Sequence, residues 1–233
     1  MSKRKIVAHQ ALIPPYQREF YSFVYENKVL SKFLDRQWVQ NILTLGNSAK
    51  LSKACLQEIA PHQKVLQIGS VFGDELGLVA QKVGVYGKID VVDVSMTQLR
   101  NLRSKYRFLY PYMNFINRDA VEPFLEKYDV IICYMLLHEL PLPAKSRVIN
   151  QVLSGLAPGG KAVFIDYNNA AWWNPLRWPV KMFNRLYQPF AERMWQSEIM
   201  SFAADLRTFD WHKTTYFGKM YQKTVASRKT DLY

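Results

Sequence analysis

A doubly wound α/β sheet is the fold the sequence predicts, on three observations. Between Lys64 and Tyr167, five short apolar segments rich in β-branched residues alternate with segments of helical period. Such alternation implies parallel βαβ units. The chain has 233 residues, 49% hydrophobic and 21% charged, a balance that supports one packed core and excludes extensive disorder. Gly, Asp or His stands just beyond several of the segments, where open parallel sheets bind their ligands.

Taken in order, residues 14–60 read as helices. Tyr16, Phe20, Phe23 and Val24 recur at helical spacing, as do Val39, Ile42 and Leu43. Gly46-Asn47 is a stop signal, and a further helix runs from about Ser48 to Ile59 before Pro61 breaks the pattern. KVLQIGS is the first strand. DELGLVAQKVG is a helix with acid at its start and Gly84 after it. GKIDVVDVS, MNFINRDA, YDVIICYML and KAVFIDY are the next four strands. MTQLRNLRSKYRFL is a helix between the second and third. LPAKSRVINQVLSGLAPGG is a helix closed by its Pro-Gly-Gly turn. After Asn168 the alternation stops, and a Trp-rich stretch with helical pieces around 180–206 follows. The tail from Phe209 to Ala226 reads as two strands joined at Phe217-Gly218, an antiparallel pair closing the sheet edge. The expected organisation is an N-terminal helical cap (1–60), an α/β core (61–167), a Trp-rich helical insert or lid (168–207) and a C-terminal strand pair (208–233).

The net charge is +12, which favours a polyanion, either nucleic acid or an anionic membrane surface. Six Trp and fourteen Tyr suit a membrane interface, and no RNA-binding module is recognisable, so nucleic acid is not the expected partner. No apolar run is long enough to span a bilayer. MSKRKIVAHQ has basic residues but no apolar h-region, so a secretory signal is not expected, while a short mitochondrial presequence stays open. Cys55 and Cys133 sit in apolar stretches and read as buried small hydrophobes.

The candidate site residues follow the strands. After the first comes Gly69-Ser70-Val71-Phe72-Gly73, a turn that lets backbone approach a ligand but lacks the dinucleotide spacing. Asp93 ends the second strand, where a carboxylate accepts from both ribose hydroxyls of a nucleoside. Ser95, not Asp93, is the natural cap of the next helix. Asp119 follows the third strand and suits an adenine amino group. His138 follows the fourth, a candidate base, orienting donor or metal ligand. Asp166, Tyr167 and Asn168 follow the fifth. His138, Asp166 and Asn168 together are a candidate set for manganese or magnesium.

The series VLQIGSVFGD, VVDVS, RDA, YDVIICYMLLHE and LAPGGKAVFIDY resembles the class I S-adenosylmethionine-dependent methyltransferases, over about residues 60–225. The resemblance implies a Rossmann-like, seven-stranded, mostly parallel sheet whose last strand inserts antiparallel. It also implies that Gly69 and Gly73 line the methionine part, with Gln67 and Ser70 among the cofactor-binding residues. Asp93 would hold the ribose, and Asp119 and Ala120 would flank the adenine. Gln67 replaces the family's usual acid and Val71 its middle glycine. A narrower resemblance adds YSFVYENKVLSKFLDRQWVQNILTLGNSAKL, MLLHELP, WWNPLRWP and TYFGKMYQK, and is to the rhodoquinone-biosynthesis proteins. It implies conversion of ubiquinone to rhodoquinone by exchange of a ring methoxy for an amino group. S-adenosylmethionine would be the amino donor, with manganese assisting. His138, Asp166 and Tyr167 would be catalytic, and a divalent ion or His138 would polarise a ring carbonyl. The expected setting is cytoplasmic and peripheral to the inner membrane, on the matrix side in a eukaryote. Two alternatives stand beside it: a conventional methyltransferase acting on a quinone, lipid or RNA, and a non-catalytic binding protein.

Overall fold

A computed structural model describes residues 13–229. The stretch Met1–Gln10, read above for targeting, lies outside the described residues. The described residues begin with five short helices: α1 (Pro15–Phe20), α2 (Ser22–Tyr25), α3 (Lys28–Leu34), α4 (Gln37–Leu43) and α5 (Ser48–Leu56). Asn27 caps α3, its side chain accepting from the amides of Val29 and Leu30.

The core follows as β1 (Lys64–Ile68), α6 (Glu75–Val83), β2 (Lys88–Asp93), α7 (Met96–Tyr106), β3 (Met113–Asn117), β4 (Tyr128–Tyr134), α8 (Leu142–Ser154) and β5 (Leu156–Tyr167). The insert carries α9 (Arg177–Tyr187) and α10 (Glu192–Gln196), and the chain ends in β6 (Phe209–Tyr216) and β7 (Tyr221–Arg228). The seven strands are ordered β3-β2-β1-β4-β5-β7-β6. The first five run parallel, and β7 pairs antiparallel with both β5 and β6. This is the sheet expected from the sequence. Ser95 caps α7 through its side chain, as its position predicts. Strands β1 and β4 are buried along almost their whole length, which is why they read as continuous apolar runs rather than alternating ones.

Several boundaries differ from expectation, three of them near the site or in the sheet. The helix α8 stops at Ser154, and the Pro158-Gly159-Gly160 segment is a bulge inside β5 rather than a helix-ending turn. Leu156, fully buried, pairs with Tyr128 before the bulge, and Lys161 pairs with Val130 after it. Strand β4 ends at Tyr134 because Met135 takes a positive φ of 49°. Strand β3 ends at Asn117, three residues before Ala120. Among the described residues, no helix is long and apolar enough to cross a membrane.

Strands β1 and β4 are parallel neighbours whose connections lead to opposite sides of the sheet, β1 on to β2 and β4 on to β5, so a crevice opens beyond their carboxyl ends. Every candidate residue in the core lies at this edge or just inside it.

Candidate active site

The turn after β1 is built around Gly69, whose φ of +80° is strained for any residue with a Cβ. The Ser70 amide donates to Asp93 Oδ2 at 2.5 Å, and the Ser95 amide to Asp93 Oδ1 at 2.6 Å. These two bonds hold the Asp93 carboxylate at the mouth of the crevice. Burial raises its pKa, and the two amides offset part of that. Asp119 is held by one oxygen only, accepting from the Val121 amide at 3.0 Å, so its second oxygen is open to a donor. Gly69, Asp93, Asp119 and Ala120 line one cleft, together with Val92, Leu136 and Leu140. Its free space is about 50 Å³, and Tyr16 and Gln17 of α1 form its outer wall.

Three expected cofactor residues stand apart from this cleft. Gln67 is fully buried in β1, and its Oε1 has no hydrogen-bond partner. The Ser70 hydroxyl is likewise buried and unpartnered. Gly73 faces the N-terminal helices: its amide donates to Asp35 Oδ1 at 3.0 Å, and its carbonyl accepts from Lys105 Nζ at 2.8 Å. A Cβ there would lie 2.6 Å from Gln37 Oε1, so this glycine serves the packing of α4.

Beyond β4 the chain enters a single 3-10 turn, Leu137–Glu139, that turns His138 inward. His138 Nδ1 lies 2.9 Å from Asp166 Oδ1, and the His138 amide donates to Asp166 Oδ2 at 3.2 Å. The Tyr167 amide also donates to Asp166, at 2.7 Å. A fully buried carboxylate with three donors is fixed in place, so it assigns the proton to Nδ1 and leaves Nε2 as the acceptor nitrogen. Tyr167 packs edge-on against the imidazole, ring centres 4.8 Å apart. Burial opposes a charge on His138, but the Asp166 carboxylate and its hydrogen bond, with Glu139, outweigh it, and the pKa is raised.

Glu139, Tyr25 and Lys145 complete the cluster and were not singled out from the sequence. Glu139 Oε1 accepts from the Tyr25 hydroxyl and lies 4.0 Å from His138 Nε2. Burial pushes its pKa up to about 7, and the negative charges of Asp166 and Asp93 add to that. Lys145 is fully buried in α8, and burial lowers its ammonium to about 8. Its Nζ donates to the Phe190 carbonyl at 3.3 Å. Glu139 adjoins His138 in the sequence and so had a positional signal. Tyr25, 114 residues away, had none.

The raised pKa of Glu139 has a signed consequence. Its carboxyl binds a proton more tightly folded than unfolded, so stability is full below the ordinary carboxylate range and declines as pH rises toward 7. Glu139→Gln keeps the acceptor for Tyr25 and removes this decline. The variant is expected to melt higher than the wild type at about pH 8, by at most about 3 kcal/mol, and to match it near pH 5. Thermal denaturation at the two pH values checks this.

The proposed metal set does not fit a divalent ion. Asp166 already accepts from three donors, the His138 and Tyr167 amides and His138 Nδ1–H, so its oxygens are not free for an ion. Asn168 Oδ1 accepts from Lys213 Nζ at 2.7 Å, so a cation already occupies that oxygen. Among the described residues no group of three His, Cys, Asp or Glu side chains is disposed to hold a metal ion.

Comparisons with known proteins place this geometry. Residues 65–160 match the model of a methyltransferase domain. No curated protein sequence matches the chain. Among solved structures, human N-acetylserotonin methyltransferase in complex with S-adenosylmethionine is similar at a TM-score of 0.60 and 17% identity, over 94% of this chain and 61% of that one. An O-methyltransferase family protein from Burkholderia thailandensis gives 0.62 and 13% identity, over 97% of this chain and 72% of that one. The pyocyanin biosynthetic protein PhzM gives 0.54 and 13%, over 82% and 58%. The chain has the class I methyltransferase fold, and its central part, residues 65–160, is similar to a methyltransferase domain.

Proposed function

We propose that the chain is an S-adenosylmethionine-dependent methyltransferase that methylates a hydroxyl oxygen on a quinone-type aromatic ring. The observation that carries this reading is the buried His138–Asp166 pair, set beside a cleft whose lining suits a nucleoside. The residues fit the cofactor: Asp93 lies where ribose hydroxyls would donate, Asp119 keeps one oxygen open, and the positive φ of Gly69 lets backbone approach. When bound, S-adenosylmethionine supplies an electrophilic methyl group on a sulfonium. Room for it is made by lifting α1, a six-residue helix with no fully buried residue.

The chain's own part is acid–base and positional. With Nδ1–H held by Asp166, His138 Nε2 takes the proton from the acceptor hydroxyl as its oxygen gains nucleophilicity. Asp166 then stabilises the imidazolium, which agrees with the raised pKa of His138. Tyr16, Tyr21 and Tyr25 provide an aromatic wall suited to a flat ring. Tyr16 and Tyr21 carry hydroxyls that burial, together with Glu139, keeps protonated.

A second reading is the amino-for-methoxy exchange that makes rhodoquinone from ubiquinone. Gln67 favours it: with no acid on β1, the cofactor's amino group loses its usual counter-charge. The resemblance of nearly the whole chain to the rhodoquinone-biosynthesis proteins favours it too, although among the described residues no group of three His, Cys, Asp or Glu is disposed to hold the expected manganese. Mass spectrometry separates the readings. Purified protein with S-adenosylmethionine is given a hydroxylated quinol in one reaction and ubiquinone in another, in detergent. A quinol product heavier by one CH2, a methyl group in place of the hydroxyl hydrogen, supports the first reading. A ubiquinone product that has exchanged a methoxy for an amino group supports the second, and unchanged acceptors in both refute the substrate class.

A further inference from the structure

The helix α9 is inside out. Trp178, Met182 and Leu186 recur every fourth residue and are 72%, 66% and 69% exposed. Phe183 and Tyr187 extend the same strip and are also exposed. The side toward the protein carries Asn184, 2% exposed, with neither its side-chain nitrogen nor its oxygen partnered. A surface helix ordinarily turns its apolar stripe to the core. Single exposed apolar residues are normal, but a contiguous stripe with the exposed Trp172 and Trp173 just before it marks an interaction surface.

The charges around the stripe identify the partner. Residues 168–191 contain three basic residues, Arg177, Lys181 and Arg185, and no acidic one. Arg177 and Lys181 each lie 5.9 Å from the Trp178 ring centre, so cations border the aromatic strip. Apolar anchors ringed by cations, with Trp at the boundary, match a layer of anionic headgroups over acyl chains. The net charge of +12 adds long-range attraction of the same sign.

We propose that the outer face of α9, with Trp172 and Trp173, docks on an anionic lipid bilayer and opens the acceptor entrance at the bilayer surface. Phe190, just beyond α9, packs edge-on against Phe20 and Tyr16 of α1, at 5.4 and 6.1 Å. Tyr16 in turn walls the cleft. On the inner side, Lys181 lies over Trp195, which stacks on Tyr167 beside His138. The docked face therefore borders both the lifting helix and the catalytic pair, and a ring carried on a lipid tail enters without crossing water.

Vesicle flotation tests this with neither cofactor nor acceptor present, so the outcome is separate from that of the proposed reaction. The wild-type protein is expected to float with phosphatidylcholine–phosphatidylglycerol vesicles and far less with phosphatidylcholine alone. Met182→Glu/Leu186→Glu is expected to weaken flotation about tenfold or more, because two anchors are lost. Arg185→Gln is expected to weaken it only on the anionic vesicles. A wild-type protein that does not float, or a double variant with unchanged flotation, overturns the proposal. So does a lipid-free dimer, seen by gel filtration and dissociated by Leu186→Glu, in a protein that does not float; the face would then bind a second copy.

Discussion

His138→Ala is expected to lower turnover about 10²- to 10⁴-fold, the range that a positioned general base contributes. The cofactor should bind as before, because His138 does not line the cleft formed by Gly69, Asp93 and Asp119. Single-turnover rates and calorimetric S-adenosylmethionine binding, measured on the same preparation, separate the two effects. The wild-type rate should rise with pH through the raised pKa of His138, since only the neutral imidazole accepts a proton. The alanine variant should lose that rise. Asp166→Asn tests the orienting role: an amide presents the wrong partner to Nδ1–H and turns the imidazole toward the inactive tautomer. It should lower the rate and shift the pH profile together, a pair of effects that simple loss of packing does not produce.

Asp93→Ala is the second large effect. The carboxylate accepts from the Ser70 and Ser95 amides and is the residue proposed to take two ribose hydroxyls. Hydrogen bonds to a charged group contribute about 1.5–3 kcal/mol each, so losing two should weaken cofactor binding at least about a hundredfold. The stranded amides should also lower the melting temperature, because buried donors without acceptors cost about 1–3 kcal/mol apiece. Asp93→Asn keeps one carbonyl acceptor and should fall between the two. If calorimetry finds unchanged affinity in Asp93→Ala, the nucleoside does not lie in this cleft.

The sheet was legible because its buried parallel strands read as β-branched runs bounded by Gly and Asp, a local signal. The start of β5 was not legible. Pro158-Gly159-Gly160 looks like the end of a helix, and only pairing of Leu156 with Tyr128 makes it a bulge. In the site, Gly69, Asp93 and Asp119 meet in one cleft because strand ends are brought together by topology, which the alternation of elements reveals. Gly73 follows the same rule in sequence but is covered by α4, a contact with Gln37 that no local pattern encodes. The candidate metal set failed for the same kind of reason: Lys213, on β6 and 45 residues from Asn168, takes the oxygen the ion would need. The Tyr25–Glu139 pair joins the N-terminal helices to the turn that carries His138 and was invisible until the chain was folded.

The most direct measurement uses S-adenosylmethionine labelled with carbon-13 in its methyl group and nitrogen-15 in its amino group. The labelled cofactor is incubated with a hydroxylated quinol and, separately, with ubiquinone, using wild-type and His138→Ala protein. Carbon-13 is expected in the extracted quinol product of the wild type and almost none in that of the variant. Nitrogen-15 in a quinone product, or equal carbon-13 transfer by both proteins, would contradict methyl transfer driven by His138.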